Sequence, residues 1–147
     1  MLIKCTRYNC IDLDKLLNIY TQTVGELNFR NVCNFSDDLH LFFECKGAFL
    51  AQWVVGGEAV AAMRVEPYRD GYLISCLETA PQYRRKGYAS ALIRAVISDT
   101  PGSYYTHVDK KNKPSLRLHK NLGFQIHLDH AIYIDGSVYT NSFTLKK

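Results

Sequence analysis

The chain has 147 residues, 47% of them hydrophobic, 12% aromatic and 22% charged, with a net charge of +4. Those proportions exclude a disordered, collagen-like or coiled-coil chain, and the length suits one globular domain, residues 1–147, that can hold a core without cross-links. No run approaches the ~18 uncharged apolar residues of a membrane span, and the opening MLIKCTRYNC turns polar too early for a signal peptide. Five cysteines with no CxxC pair read as free thiols in a reducing cytoplasm.

Residues 1–8 read as a short strand. Asp12 precedes Leu13, Leu16, Leu17 and Tyr20, a helical spacing with an acidic start. Ser36-Asp37-Asp38 offers caps for a second helix through Leu39, Phe42 and Phe43. The run AFLAQWVV (48–55), the turn Gly56-Gly57 and the return from Glu58 to Val65 predict a hairpin. Asp70-Gly71 marks a second hairpin, leading into a strand from Tyr72 to Thr79. After Pro81, the residues Ala89, Leu92, Ile93 and Val96 fall on one helical face, and Pro101-Gly102 ends that helix. Ser103 to Val108 predicts a strand. A helix from Pro114 to Asn121 follows, with Gly123 as its left-handed stop. Phe124–Ile134 and Val138–Leu145 flank Asp135-Gly136 as a closing hairpin. A strand–helix–strand crossover inside a mostly antiparallel sheet makes the class α+β with a mixed sheet.

Charge is unevenly placed. Residues 1–60 carry five Lys/Arg and seven Asp/Glu, and residues 61–147 carry thirteen and seven. Arg84-Arg85-Lys86 and Lys110, Lys111, Lys113, Arg117 and Lys120 hold much of the excess, a pattern suited to a polyanion or a phosphorylated small molecule. Nucleic-acid tracks usually interleave basic residues with aromatics over a broad surface, and these clusters are short, so a nucleic-acid module using the basic face ranks third among the readings.

The informative stretch is LETAPQYRRKGYA, Leu77 to Ala89. A strand ends, a proline breaks it, and a basic loop with Gly87 opens a helix. Unpaired amides and the positive dipole end gather at such a helix start, and Gly87 with the small Ala89 lets a bulky anion approach the backbone. The segment is neither a Walker loop nor a GxGxxG fingerprint. Its form, Arg84-Arg85-Lys86-Gly87-Tyr88-Ala89 after Pro81-Gln82-Tyr83, resembles the [QR]xxGx[GA] cofactor motif of the GNAT superfamily of acyl-CoA-dependent N-acetyltransferases. The strand YYTHVD, then Asn112, Ser115, Leu118 and Leu122-Gly123-Phe124, matches a second segment of that family at the spacing it would have.

The resemblance implies a GNAT-like domain with a splayed parallel strand pair at the centre of its sheet. It implies acetyl-CoA as co-substrate, its pyrophosphate held by the amides from Arg85 through Gly87 and Tyr88 to Ala89 and neutralised by Arg84, Arg85 or Lys86. The strand Leu77–Thr79 would pair with the pantetheine arm, a backbone N–H near Leu77 or Glu78 would polarise the thioester carbonyl, and Asn112 would hydrogen-bond the arm near the thioester.

Direct transfer needs a neutral amine, and an alkylamine of pKa near ~10.4 is mostly ammonium at neutral pH. A carboxylate can take that proton. Glu78, on the splayed strand, ranks first for this role, Glu66 second and Asp109 third. Many GNAT members place a tyrosine acid where this chain has His119. That leaves three options: His119 as the acid, another group such as Tyr88 or Tyr105, or no acid at all, because a thiol of pKa ~8.5 leaves fairly well unaided.

Cys76 reads as a buried small hydrophobe rather than an acyl carrier. His127 and His130 lack a third partner for a metal, so none is expected. His107 and Asp109 alternate on one strand face, and Phe29, Phe35, Phe42 and Phe43 read as core. The acceptor is expected between the N-terminal helices and the closing hairpin, where Glu26, Asp37, Asp38 and Glu44 favour a cationic small molecule. The expected activity is therefore acetyl transfer to a primary amine in one ternary complex, by a cytoplasmic monomer or homodimer with no nucleic-acid or membrane partner. The alternative is a non-catalytic acyl-CoA-binding sensor or scaffold.

Overall fold

A computed structural model describes all residues, 1–147. Its centre is a seven-stranded sheet built from β1 (Leu2–Cys5), β2 (Phe49–Val55), β3 (Glu58–Tyr68), β4 (Gly71–Thr79), β5 (Tyr104–Asp109), β6 (Gln125–Leu128) and β9 (Ser142–Lys146), in the order β1-β2-β3-β4-β5-β9-β6. Two short strands, β7 (Ala131–Ile132) and β8 (Val138–Tyr139), form a separate ribbon. The helices are α1 (Leu13–Ile19), α2 (Thr21–Val24), α3 (Phe29–Glu44), α4 (Tyr88–Asp99) and α5 (Lys113–Asn121). All neighbouring strands of the sheet run antiparallel except β4 and β5, which are parallel. The class is α+β, as the element order implies.

Period-two alternation places two cores on the two faces of the sheet. On β3, Ala61, Met63 and Val65 join Leu92, Ile93 and Val96 of α4 and Leu116 of α5. Ala62 faces the other way, against Leu16 and Leu17 of α1 and Phe35, Leu39 and Phe42 of α3. Each helix thus covers the sheet with the stripe its sequence supplies.

Several predicted elements shift. Asp12 caps α1 as expected, accepting from the Lys15 N–H at 3.2 Å. α3 begins seven residues before Ser36, where Asn28 accepts from the Asn31 N–H at 2.8 Å. Ser36, Asp37 and Asp38 are therefore mid-helix. Ser36 bonds the Tyr8 hydroxyl, and Asp38 pairs with Arg64. The closing hairpin is not continuous. Asp135-Gly136 turns only the small β7–β8 ribbon, while β9 inserts between β5 and β6 and pairs with both. Phe35 and Phe42 are core, but Phe29 is 87% exposed at the start of α3.

Candidate active site

β4 and β5 pair over Tyr72↔Tyr104, Leu73↔Tyr105 and Ile74↔Thr106, and then part. β4 stays with β3 up to Thr79, and β5 stays with β9 up to Asp109. A cleft opens between them, edged on the β4 side by Ser75 to Thr79. A bulge sits at its start. Arg64 faces Ser75 and Ala62 faces Glu78, so Cys76 and Leu77 together oppose the single residue Met63. Cys76 carries the distortion with φ +51°. It is exposed, not buried as its residue type suggested. The Tyr20 hydroxyl donates to its carbonyl at 2.7 Å and fixes the bend.

Beyond the cleft, the chain turns through Pro81–Tyr83 into the basic loop. Gly87 is the N-cap of α4, with φ +81°, and a β-carbon there would meet no atom within 4 Å. The open conformation fits a ligand-approach position rather than a packing one. The first helical bond of α4 runs from the Ala91 N–H to the Gly87 carbonyl, which leaves the amides of Tyr88, Ala89 and Ser90 at the helix mouth. Arg85 also has a positive φ, +62°. Its side chain and that of Lys86 are exposed. Arg84 turns inward, and its Nε–H donates to the Thr79 carbonyl at 3.1 Å. Its Nη2 is buried with no hydrogen-bond partner. A guanidinium cannot shed its charge, so a buried donor without a protein partner suits an anionic group.

On the face of the sheet that carries α1–α3, a cavity of about 650 Å³ adjoins the cleft. Its floor is Arg64 and Glu66 of β3 with Leu73 and Ser75 of β4. One wall is Asp38, Leu41 and Phe42 of α3, and the other is Tyr133, Ile134 and Asp135 of the ribbon. It lies where the acceptor was expected, between the N-terminal helices and the C-terminal ribbon. Arg64 Nη1 meets Asp38 Oδ2 at 2.7 Å. Glu66 is half-buried, and that burial raises its pKa against the lowering effect of Arg64.

Glu78 and His119, the first candidates for base and acid, occupy different settings. Glu78 is buried, and both its oxygens are engaged. Oε1 accepts from the Gln22 N–H and Oε2 from the Thr23 hydroxyl, each at 2.7 Å. It holds the first turn of α2. His119 is 2% exposed and lies edge-on to Phe124. Its Nδ1 is 2.8 Å from the Ser115 carbonyl, so Nδ1 carries the proton. Nε2 is buried without a partner. Burial lowers the pKa of His119, partly offset by the Ser115 bond. Asn112 caps α5 through the Ser115 N–H at 3.2 Å, which leaves its amide nitrogen uncommitted. Asp109 accepts from the Lys111 N–H, and the Tyr105 hydroxyl donates to Asp70 at 2.5 Å.

The model of the acetyltransferase (GNAT) family matches residues 13–124. The chain belongs to the GNAT acetyltransferase family. The match spans α1 to the Phe124 turn and so contains both the cleft and the basic loop. This GNAT chain resembles the aminoglycoside 6'-acetyltransferase type Ii in structure, with a TM-score of 0.75 at 14% identity, covering 100% of this chain and 96% of that one. It resembles the ribosomal-protein-S18-alanine N-acetyltransferase of Escherichia coli with a TM-score of 0.67 at 16% identity, covering 99% and 92%. It resembles the PaiA N-acetyltransferase of Thermoplasma acidophilum, in complex with coenzyme A, with a TM-score of 0.67 at 10% identity, covering 100% and 98%. At these identities the likeness is one of fold. No curated protein matches the chain by sequence. Sequence reasoning ranked Glu66 below Glu78 and missed Arg64 in this GNAT chain. The alternation Arg64-Val65-Glu66 was the available signal that both residues share one face of β3.

Proposed function

We propose that the chain transfers an acetyl group from acetyl-CoA to the primary amine of a small cationic acceptor, by direct attack across the β4–β5 cleft. The parting of the two strands after Ile74↔Thr106 carries this reading. It sets an anion-ready loop beyond one end of the cleft and an acidic cavity against its flank. The residues present suit coenzyme A. The Tyr88–Ser90 amides and the unpartnered Arg84 Nη2 would hold its pyrophosphate, with Arg85 and Lys86 adding charge from the surface. The free edge from Ser75 to Thr79 would align the pantetheine arm, with Asn112 Nδ2 as a further donor. When bound, acetyl-CoA supplies the activated acyl group, and the protein supplies position and proton handling.

The proton falls to Glu66. Neutralising an ammonium of pKa ~10.4 at neutral pH costs about 4–5 kcal/mol, so the base and the site must share that work. Glu66 faces the cavity beside Ser75, and burial moves its pKa toward the working range of a base. Glu78, with both oxygens engaged, is the positioning residue that fixes α2 beside the bulge. His119 holds its one proton on the Ser115 carbonyl, so Nε2 can accept but not give. The departing sulfur then leaves as thiolate or takes a proton from solvent. A His119 that cannot give a proton is also what a binding-only domain would show, and one assay separates the two. With acetyl-CoA and an amine panel, the enzyme releases free thiol. A binding domain shows heat in calorimetry but no thiol. Gly87→Glu puts a carboxylate where the pyrophosphate would lie and should abolish the heat of coenzyme A binding. Retained binding in that variant would remove the loop from the site.

A further inference from the structure

The 650 Å³ cavity holds more negative charge than one amine uses. Three carboxylates line it, on three different elements. Asp38 is committed to Arg64 at 2.7 Å. Neither Glu66 nor Asp135 makes an ion pair within 4.0 Å in the protein, and Arg64, which acts on Glu66 from farther away, is itself paired with Asp38. Glu66 lies half-buried on the β3 floor. Asp135 stands exposed at the ribbon turn, where the Ser137 N–H and hydroxyl donate to its Oδ1 at 2.9 and 2.6 Å and leave Oδ2 free. Leu41, Phe42, Leu73, Tyr133 and Ile134 supply an apolar lining to the same cavity.

We propose that the acceptor is an aliphatic diamine, with one amine at Glu66 and the second ammonium at Asp135, joined by an apolar spacer along that lining. This rests on the acetyl-transfer reading and adds which amines the site serves. The two carboxylates suit different tasks. The Ser137 bonds hold Asp135 below the usual carboxylate range, so it stays a fixed negative charge, while burial raises Glu66. An extensively hydroxylated spacer would set its hydroxyls against Leu41, Phe42, Leu73 and Ile134, whose side chains cannot hydrogen-bond them. The reaction balances without a further reagent. The amine nitrogen bonds the acyl carbon and the carbon–sulfur bond breaks; of the two protons the reacting nitrogen loses, one goes to Glu66 and the other to the departing sulfur or to water, and the distal ammonium keeps its charge.

The test is a series from 1,3-diaminopropane to 1,8-diaminooctane against the matching monoamines and 2-deoxystreptamine, read as thiol released from acetyl-CoA. One exposed ion pair predicts that the best diamine exceeds its monoamine by about fivefold in kcat/KM. That ratio should fall toward one in Asp135→Asn and recover in Asp135→Glu. Equal kcat/KM for diamines and monoamines, a ratio unmoved in Asp135→Asn, or a preference for 2-deoxystreptamine would overturn the diamine proposal and leave acetyl transfer standing. No thiol release with any amine, despite coenzyme A binding in calorimetry, would overturn both.

Discussion

Glu66 and His119 are both buried to some degree, and burial pushes their pKa values in opposite directions because it opposes charge in each. For Glu66 the functional consequence is a limb in the pH–rate profile. Activity rises with pH through a pKa above the ordinary carboxylate value. In Glu66→Gln that limb should vanish and kcat/KM at neutral pH should fall by roughly 10²- to 10⁴-fold. The stability consequence has the opposite sign. A carboxyl whose folded pKa is raised favours folding while protonated and loses that contribution as pH rises through the folded pKa. Glu66→Gln should therefore melt at or above the parent temperature at neutral pH, which thermal unfolding would check. His119 is an imidazole with a lowered pKa in the folded state. Below about pH 6.5 the unfolded chain takes up a proton that the folded site resists, so acidification destabilises the fold. His119→Phe removes that penalty. Its melting temperature should gain on the parent's between pH 7 and pH 5, and a constant difference would show that His119 does not titrate as its burial requires.

At the scale of elements, long-range partners decide what local sequence leaves open. Glu78 looked free on a splayed strand, yet α2, 55 and 56 residues earlier in the chain, takes up both its oxygens. A four-residue helix has little intrinsic stability, so α2 depends on that carboxylate. Glu78→Ala should cost about 1–2 kcal/mol, a fall of roughly 3–6 °C in melting temperature. The α3 start was misread for a related reason. Ser, Asp and Asp together resemble a cap, but the apolar stripe Val32, Phe35, Leu39 and Phe42 passes straight through them. The hairpin turns, the caps at Asp12 and Gly87 and the strand core of β2–β4 were legible because their signals are local. The register of the parallel pair was not. It is pinned at Gly71, where a β-carbon would stand 2.0 Å from the Ser103 carbonyl oxygen. Tyr72 N–H donates to that same carbonyl at 2.9 Å. Gly71→Ala should therefore cost more than about 3 kcal/mol, measured by denaturant unfolding.

Across the whole molecule, the sheet separates two cores while its central cleft remains without a strand. Sequence order alone made the α+β class readable, since a strand–helix–strand crossover between antiparallel hairpins has few solutions. The ribbon escaped notice because β9 competes for the strand edge that the closing hairpin would have used. A ligand lying in the cleft binds the folded chain only, so coenzyme A at a hundredfold excess over its Kd should add about 2.7 kcal/mol. That corresponds to a rise of roughly 5–10 °C in melting temperature. Raising the ionic strength should shrink the rise, because Arg85 and Lys86 act from the exposed surface.

The bend at Cys76 has a practical side. Left-handed geometry at a residue with a β-carbon costs about 1–2 kcal/mol, and nothing in the site asks for sulfur there. The position needs a shape and is indifferent to the thiol. Its thiol, with a pKa raised by burial and within the influence of Ser75, Arg64 and Glu66 of the cavity floor, is consequently a site where a small label would report acceptor entry in real time, once Cys10, Cys33 and Cys45 are replaced.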